Sequence, residues 1–175
     1  MKTHSHRVLV MGVSGSGKSH IGYQLALTLG AIFIDGDDYH SPANVAKMAS
    51  GKPLNDDDRS EWLGTLAALF AEYRARGESL VIACSGLKKR YRDRLRQGDP
   101  ALQILYLEGS RELLLERLET RAGHFFKGDT MLASQLADLE PPSEEEAFNV
   151  SIALSPQAIV TQFAATLPTP NHSPG

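Results

Sequence analysis

Residues Gly12-Val13-Ser14-Gly15-Ser16-Gly17-Lys18-Ser19 form a complete G-x-x-x-x-G-K-[ST] motif directly after the apolar run Val8-Leu9-Val10-Met11. A buried strand that leads into a glycine-rich turn and then a helix directs successive backbone N–H groups at a phosphate. In that geometry Lys18 reaches the outer phosphates, and the Ser19 hydroxyl is placed to ligate Mg²⁺. The motif predicts a loop that binds a nucleoside triphosphate; the alternative is a plain glycine-rich turn.

Length and composition are those of an ordinary globular protein. Of the 175 residues, 42% are hydrophobic and 22% are charged, which predicts a single domain over residues 1–166. The stretch Pro168–Gly175 has nothing to bury, so we expect a disordered tail at 167–175. The net charge of −3 argues against a surface for bulk nucleic-acid binding, although it is compatible with a local basic patch.

The cellular compartment is predicted from cysteine usage and hydropathy. Cys84 is the only cysteine, so no internal disulfide can form and a reducing cytoplasm is expected. The N-terminal residues lead straight into the first apolar run and leave no room for a signal peptide. No apolar run approaches the ~20 residues that a membrane span needs. We therefore predict a cytoplasmic protein that has no membrane partner.

Strand-like and helix-like segments alternate along the chain. The strand candidates are short apolar runs, typical of strands covered on both faces: Arg7–Met11, Ala31–Asp35, Ser79–Ala83, Leu102–Leu107 and Val150–Leu154. The helix candidates are Lys18–Leu29, Asp58–Arg76, Leu87–Arg96, Ser110–Thr120, Thr130–Leu139 and Pro156–Ala165. This alternation predicts an α/β fold, with a parallel sheet between two layers of helices.

A carboxylate cluster, Asp35-Gly36-Asp37-Asp38, ends the second strand candidate. Ligands of doubly wound sheets lie at the carboxyl ends of the strands, so this cluster is expected beside the glycine-rich loop. Alternation along extended backbone turns Asp35 and Asp37 the same way. We assign Asp35 to the water shell of Mg²⁺ and Asp37 to the hydroxyl that accepts a phosphoryl group. The alternative, acids that only cap the next helix, fits Asp38 best.

Two further segments carry polar and basic residues. The dense polar run from His40 to Arg59 is either a solvated loop or a site for a polar ligand. In the segment 84–96, which begins where the third strand ends, Lys88 and Arg92 lie one turn apart near the start of a helix. Their position favours an anion pocket, and hence an anionic acceptor, over a solvated helix or a nucleic-acid patch.

A fourth segment interrupts the pattern between two helices, and its glycines are suited to hinges. In small P-loop kinases such a segment is a mobile lid that excludes water from the phosphates, here at about residues 121–130. Arg121 is the candidate for the cation that meets transition-state charge, and Arg117 for a guanidinium that stacks on adenine. His124 has no metal partner at ligand spacing, so a structural role is the expected one.

The chain resembles the bacterial gluconokinase family from its first strand to about Pro142. The first matching motif is Asp35-Gly36-Asp37-x-x-His40-x-Pro42-x-Asn44-x-x-Lys47-Met48-x-x-Gly51-x-Pro53-Leu54-x-Asp56-x-Asp58-Arg59-x-x-Trp62-Leu63. The others are Cys84-Ser85-Gly86-Leu87-Lys88-Lys89-x-Tyr91-Arg92-Asp93-x-Leu95-Arg96, Gly123-His124-Phe125-Phe126 and Ser134-Gln135. This combination is far more specific than the phosphate-binding loop alone.

The resemblance implies an enzyme that uses ATP to phosphorylate D-gluconate to 6-phosphogluconate, a step that feeds central carbohydrate metabolism. It also implies a P-loop NTPase fold like that of the nucleoside-monophosphate kinases, with three layers and strand order 2-3-1-4-5. A Mg²⁺ requirement and commonly a homodimer belong to the same expectation, and a nucleic-acid partner does not.

Individual roles follow from the same match. The sugar acid is expected to contact Asp37, His40, Arg59, Lys88 and Arg92, with Lys18, Asp37 and Arg121 as catalytic residues. Ser19 and Asp35 are the metal candidates. The expected nucleotide-binding residues are Gly12, Val13, Ser14, Gly15, Ser16, Gly17, Lys18, Ser19, Arg117 and Arg121.

Two other functions compete with this interpretation. A shikimate kinase has the same scaffold and carboxylate pair, but it typically carries a glycine triplet where this chain has Ser85-Gly86-Leu87. The rival from another class is a P-loop regulator or RNA-associated module that uses Lys88–Arg96 as its contact surface, which RNA retention at physiological salt would detect.

Overall fold

The computed structural model describes residues 5–52, 54–122 and 128–167; for residues 119–122 and 128–131 only the backbone is described. Within this part of the chain, five parallel strands form one sheet in the order β2-β3-β1-β4-β5. The strands are β1 (Arg7–Met11), β2 (Ile32–Asp35), β3 (Leu80–Ala83), β4 (Gln103–Glu108) and β5 (Phe148–Ser151). The predicted parallel sheet and its strand order are confirmed.

Helices cover both faces of the sheet, which gives three layers. They are α1 (Lys18–Leu29), α2 (Pro42–Ala49), α3 (Asp56–Arg76), α4 (Lys89–Arg96), α5 (Arg111–Ala122), α6 (Gly128–Asp138) and α7 (Pro156–Thr166). A short 3₁₀ helix, Gly36–Tyr39, follows β2. The predicted α/β class is therefore confirmed.

The core is divided between the two faces, because alternate residues of each strand turn to opposite sides. On one face Val8 and Val10 pack with α1 and α7, whose buried residues include Leu25 and Phe163. On the other face Leu9 and Met11 of the same strand pack with α3 and α4. Since both faces are covered, the central strands β1 and β3 are almost entirely apolar, which is why their runs were visible in the sequence.

The register brings the functional segments to one edge of the sheet. Ala83 of β3 pairs with Val10 on one side and with Asp35 on the other. The chain leaves β1, β2 and β3 at this same edge, so the glycine-rich loop, the carboxylate cluster and the Cys84–Leu87 turn are neighbours. This is the strand-end geometry in which doubly wound sheets bind ligands.

Helix α2 was not predicted; its sequence was interpreted as part of a polar loop or ligand site. Its start nevertheless carries a regular signal, since the Ser41 side chain accepts from the Asn44 backbone N–H at 3.1 Å and Pro42 occupies the first turn. Helix α3 begins two residues before the predicted Asp58. Asn55 and Asp58 form a reciprocal capping box there, so Asp58 lies inside the helix as its third residue.

The last strand begins two residues before the predicted Val150–Leu154 and ends three residues before its predicted end. Phe148 and Val150 pair with Leu105 and Leu107, at the edge of the sheet. Ile152, although buried, belongs to the turn that follows. The predicted bounds of β1 and α1 are the observed ones, and the other predicted bounds differ from the observed ones by at most two residues. Gly123–Lys127 of the predicted lid and residues 168–175 of the predicted tail lie outside the described residues. Among the described helices, none combines the length and apolarity needed to cross a bilayer.

Candidate active site

The glycine-rich loop joins β1 to α1 and forms a phosphate cradle. Gly15 and Gly17 have φ angles of 87° and 85°, a left-handed conformation that side chains with a Cβ rarely adopt. Helix α1 begins at Lys18, and its cap residue Gly17 offers no side-chain oxygen to the first N–H groups. These uncapped donors and the positive end of the helix make a site for an anion.

The predicted metal pair is in contact beside this loop. The Ser19 hydroxyl donates to Asp35 Oδ2 at 3.0 Å, and Asp35 Oδ1 accepts from the Asp37 backbone N–H at 3.0 Å. Both side chains are hard oxygen donors, which suits Mg²⁺. Within the described residues no three His, Cys, Asp or Glu side chains gather as a metal cage. The pair therefore fits a cation that keeps much of its water shell or shares it with bound phosphates.

Two cavities meet at the carboxyl edge of the sheet. The phosphate cleft, of about 650 Å³, is lined by Ser14, Gly15, Gly17, Lys18, Ser19, His20, Asp35, Asp37 and Leu118. The acceptor cavity, of about 210 Å³, is lined by Ser14, Lys18, Asp37, His40, Met48, Leu54, Arg59, Trp62, Ser85, Leu87, Ser134, Gln135 and Asp138. Ser14, Lys18 and Asp37 line both cavities. The ammonium group of Lys18 and the carboxylate of Asp37 therefore lie where ligands bound in the two cavities would meet.

His40 forms part of the wall of the acceptor cavity. Its ring stacks on Trp62 with centroids 4.1 Å apart, and the Trp62 indole N–H donates to the Gly36 carbonyl at 2.7 Å. His40 Nε2 lies 3.8 Å from Asp37 Oδ1. Burial lowers the pKa of His40 below its ordinary value, although the Asp37 charge acts in the opposite direction.

A second group of side chains surrounds Tyr91 of α4. Arg59 lines the acceptor cavity, donates to the Tyr91 hydroxyl at 3.0 Å and lies over its ring. The Lys88 ammonium lies 5.9 Å from the centre of the same ring and 4.0 Å from Asp56 Oδ1. Among the described residues that line the acceptor cavity, Arg59 is the one arginine, and Lys88 is not one of them.

Comparison with known proteins shows the family of the chain. A protein-family model described as an AAA domain matches residues 8–142. The thermoresistant gluconokinase of Escherichia coli (strain K12) is 50% identical over 145 residues, which is 82% of this chain and 82% of that protein. The chain belongs to the gluconokinase family. A crystal structure of a gluconokinase from Sinorhizobium meliloti 1021 superposes with a TM-score of 0.84 at 40% identity, over 94% of this chain and 92% of that one.

The shikimate-kinase alternative shares only the scaffold. A shikimate kinase from Aquifex aeolicus vf5 superposes with a TM-score of 0.55 at 16% identity, over 91% of this chain and 94% of that one. This similarity shows the fold alone. The gluconokinase relatives instead match in sequence over most of the chain.

In this member of the gluconokinase family, Arg92 is not brought to the acceptor cavity. Its residue is 1% exposed, and its guanidinium donates to the carbonyls of Gly86, Leu87 and Glu140 and to both carboxylate oxygens of Glu146. All five guanidinium N–H groups are thereby used. Arg92 contacts the turn at Gly86 and Leu87, and Leu87 lines the acceptor cavity. Arg92 can therefore affect the cavity only through its contact with this turn.

The predicted arginines of the lid side are only partly described. Arg117 Nη2 donates to the Ile152 carbonyl at 2.5 Å, which places its guanidinium at the turn after β5. Arg121 belongs to α5, but its side chain lies outside the described part of the structure, as do Gly123–Lys127 with His124. The predicted roles of Arg117 and Arg121 therefore remain predictions.

Several cavity residues were not assigned a role from the sequence. Gln135 of α6 accepts from the Ser14 backbone N–H at 2.6 Å, and Ser134 and Asp138 of the same helix line the acceptor cavity. Asn44 is buried beside His40. Both Asn44 and Ser134-Gln135 occur in the motifs shared with gluconokinases, which was the available signal. Their position depends on contacts across more than one element, so spacing alone could not locate them.

Proposed function

We propose that this protein transfers the γ-phosphoryl group of ATP to D-gluconate, which yields ADP and 6-phospho-D-gluconate. The observation that carries the proposal is the meeting of the phosphate cleft and the acceptor cavity at Ser14, Lys18 and Asp37. Membership of the gluconokinase family supports the choice of gluconate as acceptor.

The residues at the junction account for the chemistry of this transfer. The O6 oxygen of gluconate attacks the γ-phosphorus, the bond to the leaving oxygen of ADP breaks, and the O6 proton passes to Asp37. Lys18 and the loop N–H groups neutralise charge that spreads over the phosphoryl oxygens. Ser19 and Asp35 would hold Mg²⁺, and a bound cation would supply further neutralisation of the phosphates.

Binding of the sugar acid requires a counter-charge away from the reacting hydroxyl. We assign this role to Arg59, which lines the cavity, with Lys88 as the second cation near it. His40 is placed to donate to a sugar oxygen from the same wall. We do not propose Arg92 as a direct contact of the sugar acid, because its guanidinium N–H groups donate to protein oxygens.

The remaining parts of the proposal rest on the family resemblance. Arg121 meets transition-state charge when the lid at about residues 121–130 closes, and Arg117 stacks on the adenine. Each subunit consists of a single domain. The enzyme works in the cytoplasm as a homodimer and has no nucleic-acid partner. The absence of a nucleic-acid partner is supported by the acidic partners of four of the five basic residues of α4, Lys89, Arg90, Arg92 and Arg96.

A coupled ADP-release assay tests the function directly. The purified protein is offered gluconate, other sugar acids, shikimate and nucleoside monophosphates at equal concentration, with ATP and Mg²⁺. We expect the highest kcat/KM for gluconate and dependence of the rate on Mg²⁺. A higher kcat/KM for shikimate or a nucleoside monophosphate would overturn the assignment. An RNA-retention assay at physiological salt runs beside it, and salt-sensitive retention would support the regulator alternative.

A further inference from the structure

Asn44 and His40 are held together inside the wall of the acceptor cavity. Asn44 is 5% exposed and the His40 side chain is 4% exposed. The Asn44 side-chain nitrogen Nδ2 lies 2.7 Å from the Asp58 backbone oxygen and 3.3 Å from His40 Nδ1. One atom of Asn44 therefore contacts both a peptide carbonyl of α3 and the imidazole ring.

The carbonyl settles the orientation of the amide. A peptide oxygen only accepts hydrogen bonds, so the Asn44 atom beside it must be the NH₂ group and not the amide oxygen. Its second hydrogen is then available to His40 Nδ1. That nitrogen must present a lone pair, because an N–H there would oppose the amide N–H. A neutral imidazole that accepts at Nδ1 carries its proton on Nε2.

The other neighbours of the ring are compatible with this tautomer. Nε2 is the atom that lies 3.8 Å from Asp37 Oδ1, longer than a hydrogen bond, so its N–H is available to an acceptor oxygen in the cavity. Trp62 stacks on the ring face. Of the charged groups around it, Asp37 and Arg59 face the imidazole from the 3₁₀ helix and α3, while Lys47 is paired with Asp58 at 2.6 Å.

We propose that Asn44 is a positioning residue that holds His40 as the neutral Nε2–H tautomer, so that His40 donates into the acceptor cavity and Asp37 alone receives the substrate proton. With Nδ1 engaged by Asn44 and Nε2 already protonated, His40 has no free site for that proton. The catalytic part of this inference rests on the proposed function, whereas the tautomer is a property of the protein itself.

Nitrogen NMR of the full-length protein tests the tautomer without any substrate. The protein is labelled with ¹⁵N-histidine, and His40 is assigned among the six histidines by the signal lost in His40→Gln. At neutral pH we expect a pyridine-like Nδ1 and a pyrrole-like Nε2. A protonated Nδ1 in the wild type, in either the other tautomer or the imidazolium, would overturn the proposal whatever the enzyme's activity.

Substitution of Asn44 tests whether this residue sets the tautomer of His40. Asn44→Asp places an acceptor at Nδ1 and is expected to move the proton there, while Asn44→Ala should give a mixture of tautomers. Val45→Ala, on the exposed side of the same helix, is the matched control and should leave the spectrum unchanged. If both Asn44 variants fold, as judged by circular dichroism, and keep the wild-type tautomer, Asn44 does not set it and the proposal is wrong.

The kinetic consequence separates this inference from the function itself. In Asn44→Asp we expect kcat with gluconate to fall by about 10- to 10²-fold, with the ATP KM nearly unchanged, since a misplaced catalytic group can cost about 10²-fold. A tautomer change with unaltered kcat would contradict the catalytic role. Absence of gluconate turnover in the wild type would instead contradict the proposed function and leave the NMR result standing.

Discussion

The backbone N–H of Ser14 donates a hydrogen bond of 2.6 Å to Oε1 of Gln135, 121 residues further along the chain. This bond joins the glycine-rich loop to α6, and both residues line the acceptor cavity. Helix α6 begins within the last residues of the predicted lid, at Gly128. The bond therefore holds one side of the acceptor cavity against the phosphate-binding loop.

Removal of this link should reduce catalysis moderately. A neutral hydrogen bond contributes about 0.5–1.5 kcal/mol net, so Gln135→Ala is expected to lower kcat/KM for gluconate by roughly 2- to 10-fold. Gln24→Ala, exposed on α1, is the control and should match the wild type. Steady-state kinetics with both substrates varied checks this, and an unchanged kcat/KM would mean that the bond has no part in the active conformation.

Lys18→Met should abolish most of the turnover without loss of the fold. Lys18 stands where the two cavities meet and neutralises charge that grows during phosphoryl transfer, so kcat is expected to fall by at least about 10²- to 10³-fold. Lys89→Met, at the exposed ion pair with Asp93, controls for the loss of a positive charge. A purified, folded Lys18→Met protein that keeps more than about a tenth of the wild-type kcat would rule out the assigned role.

Asp37→Asn tests the proposed proton acceptor. The side chain is 63% exposed toward the cavities, and the amide keeps its size while losing charge and basicity. We expect kcat to fall by about 10²-fold or more, with nearly normal ATP binding by equilibrium titration. The neighbouring Asp38→Asn serves as control, because Asp38 lines neither cavity. Normal turnover at saturating gluconate, with only KM raised, would make Asp37 a binding residue alone.

Arg59→Ala should weaken the binding of gluconate in particular. A charge-assisted hydrogen bond contributes about 1.5–3 kcal/mol, so the gluconate KM is expected to rise by roughly 10- to 100-fold with little change in the ATP KM. Arg94→Ala, an exposed cation of α4 outside the acceptor cavity, is the matched control.

Comparison of gluconate with sorbitol, a neutral polyol of equal length, sharpens this test. The wild type should prefer gluconate strongly, and Arg59→Ala should narrow that preference. Equal weakening of both acceptors would place the substrate carboxylate elsewhere.

Stability should depend on the ionisation of Glu146. Burial raises the pKa of this carboxyl, but hydrogen bonds from Arg92 and Arg96 outweigh it and hold the folded pKa below its usual 4.5. A depressed folded pKa means that the ion pair stabilises the fold above the unfolded pKa and is lost as pH falls through the folded value.

The measurement compares urea unfolding of the wild type and Glu146→Gln as a function of pH. At neutral pH the variant leaves the buried Arg92 without its counter-charge and should be less stable. The difference in unfolding free energy should shrink below about pH 4.5. A difference that stays constant down to the acid limit of folding would show that Glu146 does not titrate in this way.

Much of the fold could be predicted because its signals are local. Strands covered on both faces consist mainly of apolar residues, so four of the five were located to within one residue. The edge strand Phe148–Ser151 alternates polar and apolar residues, so a search for apolar runs placed it too late. Helix α2 was missed because its density of polar residues suggested a loop, although Ser41 and Pro42 carry a start signal.

The sequence by itself determined the phosphate-binding loop, since its conformation depends on glycines, a lysine and a serine that all lie between Gly12 and Ser19. Through the shared motifs it also indicated a set of polar residues for the site, of which Asp37, His40 and Arg59 line the acceptor cavity. Only the tertiary structure decided which of those side chains are open to a ligand and which are bonded to other protein groups. Helical spacing predicted the same anion pocket for Lys88 and Arg92. In the structure, however, Arg92 is buried against Glu146, 54 residues away. Such partners are set by the packing of distant elements, which spacing within one helix cannot express.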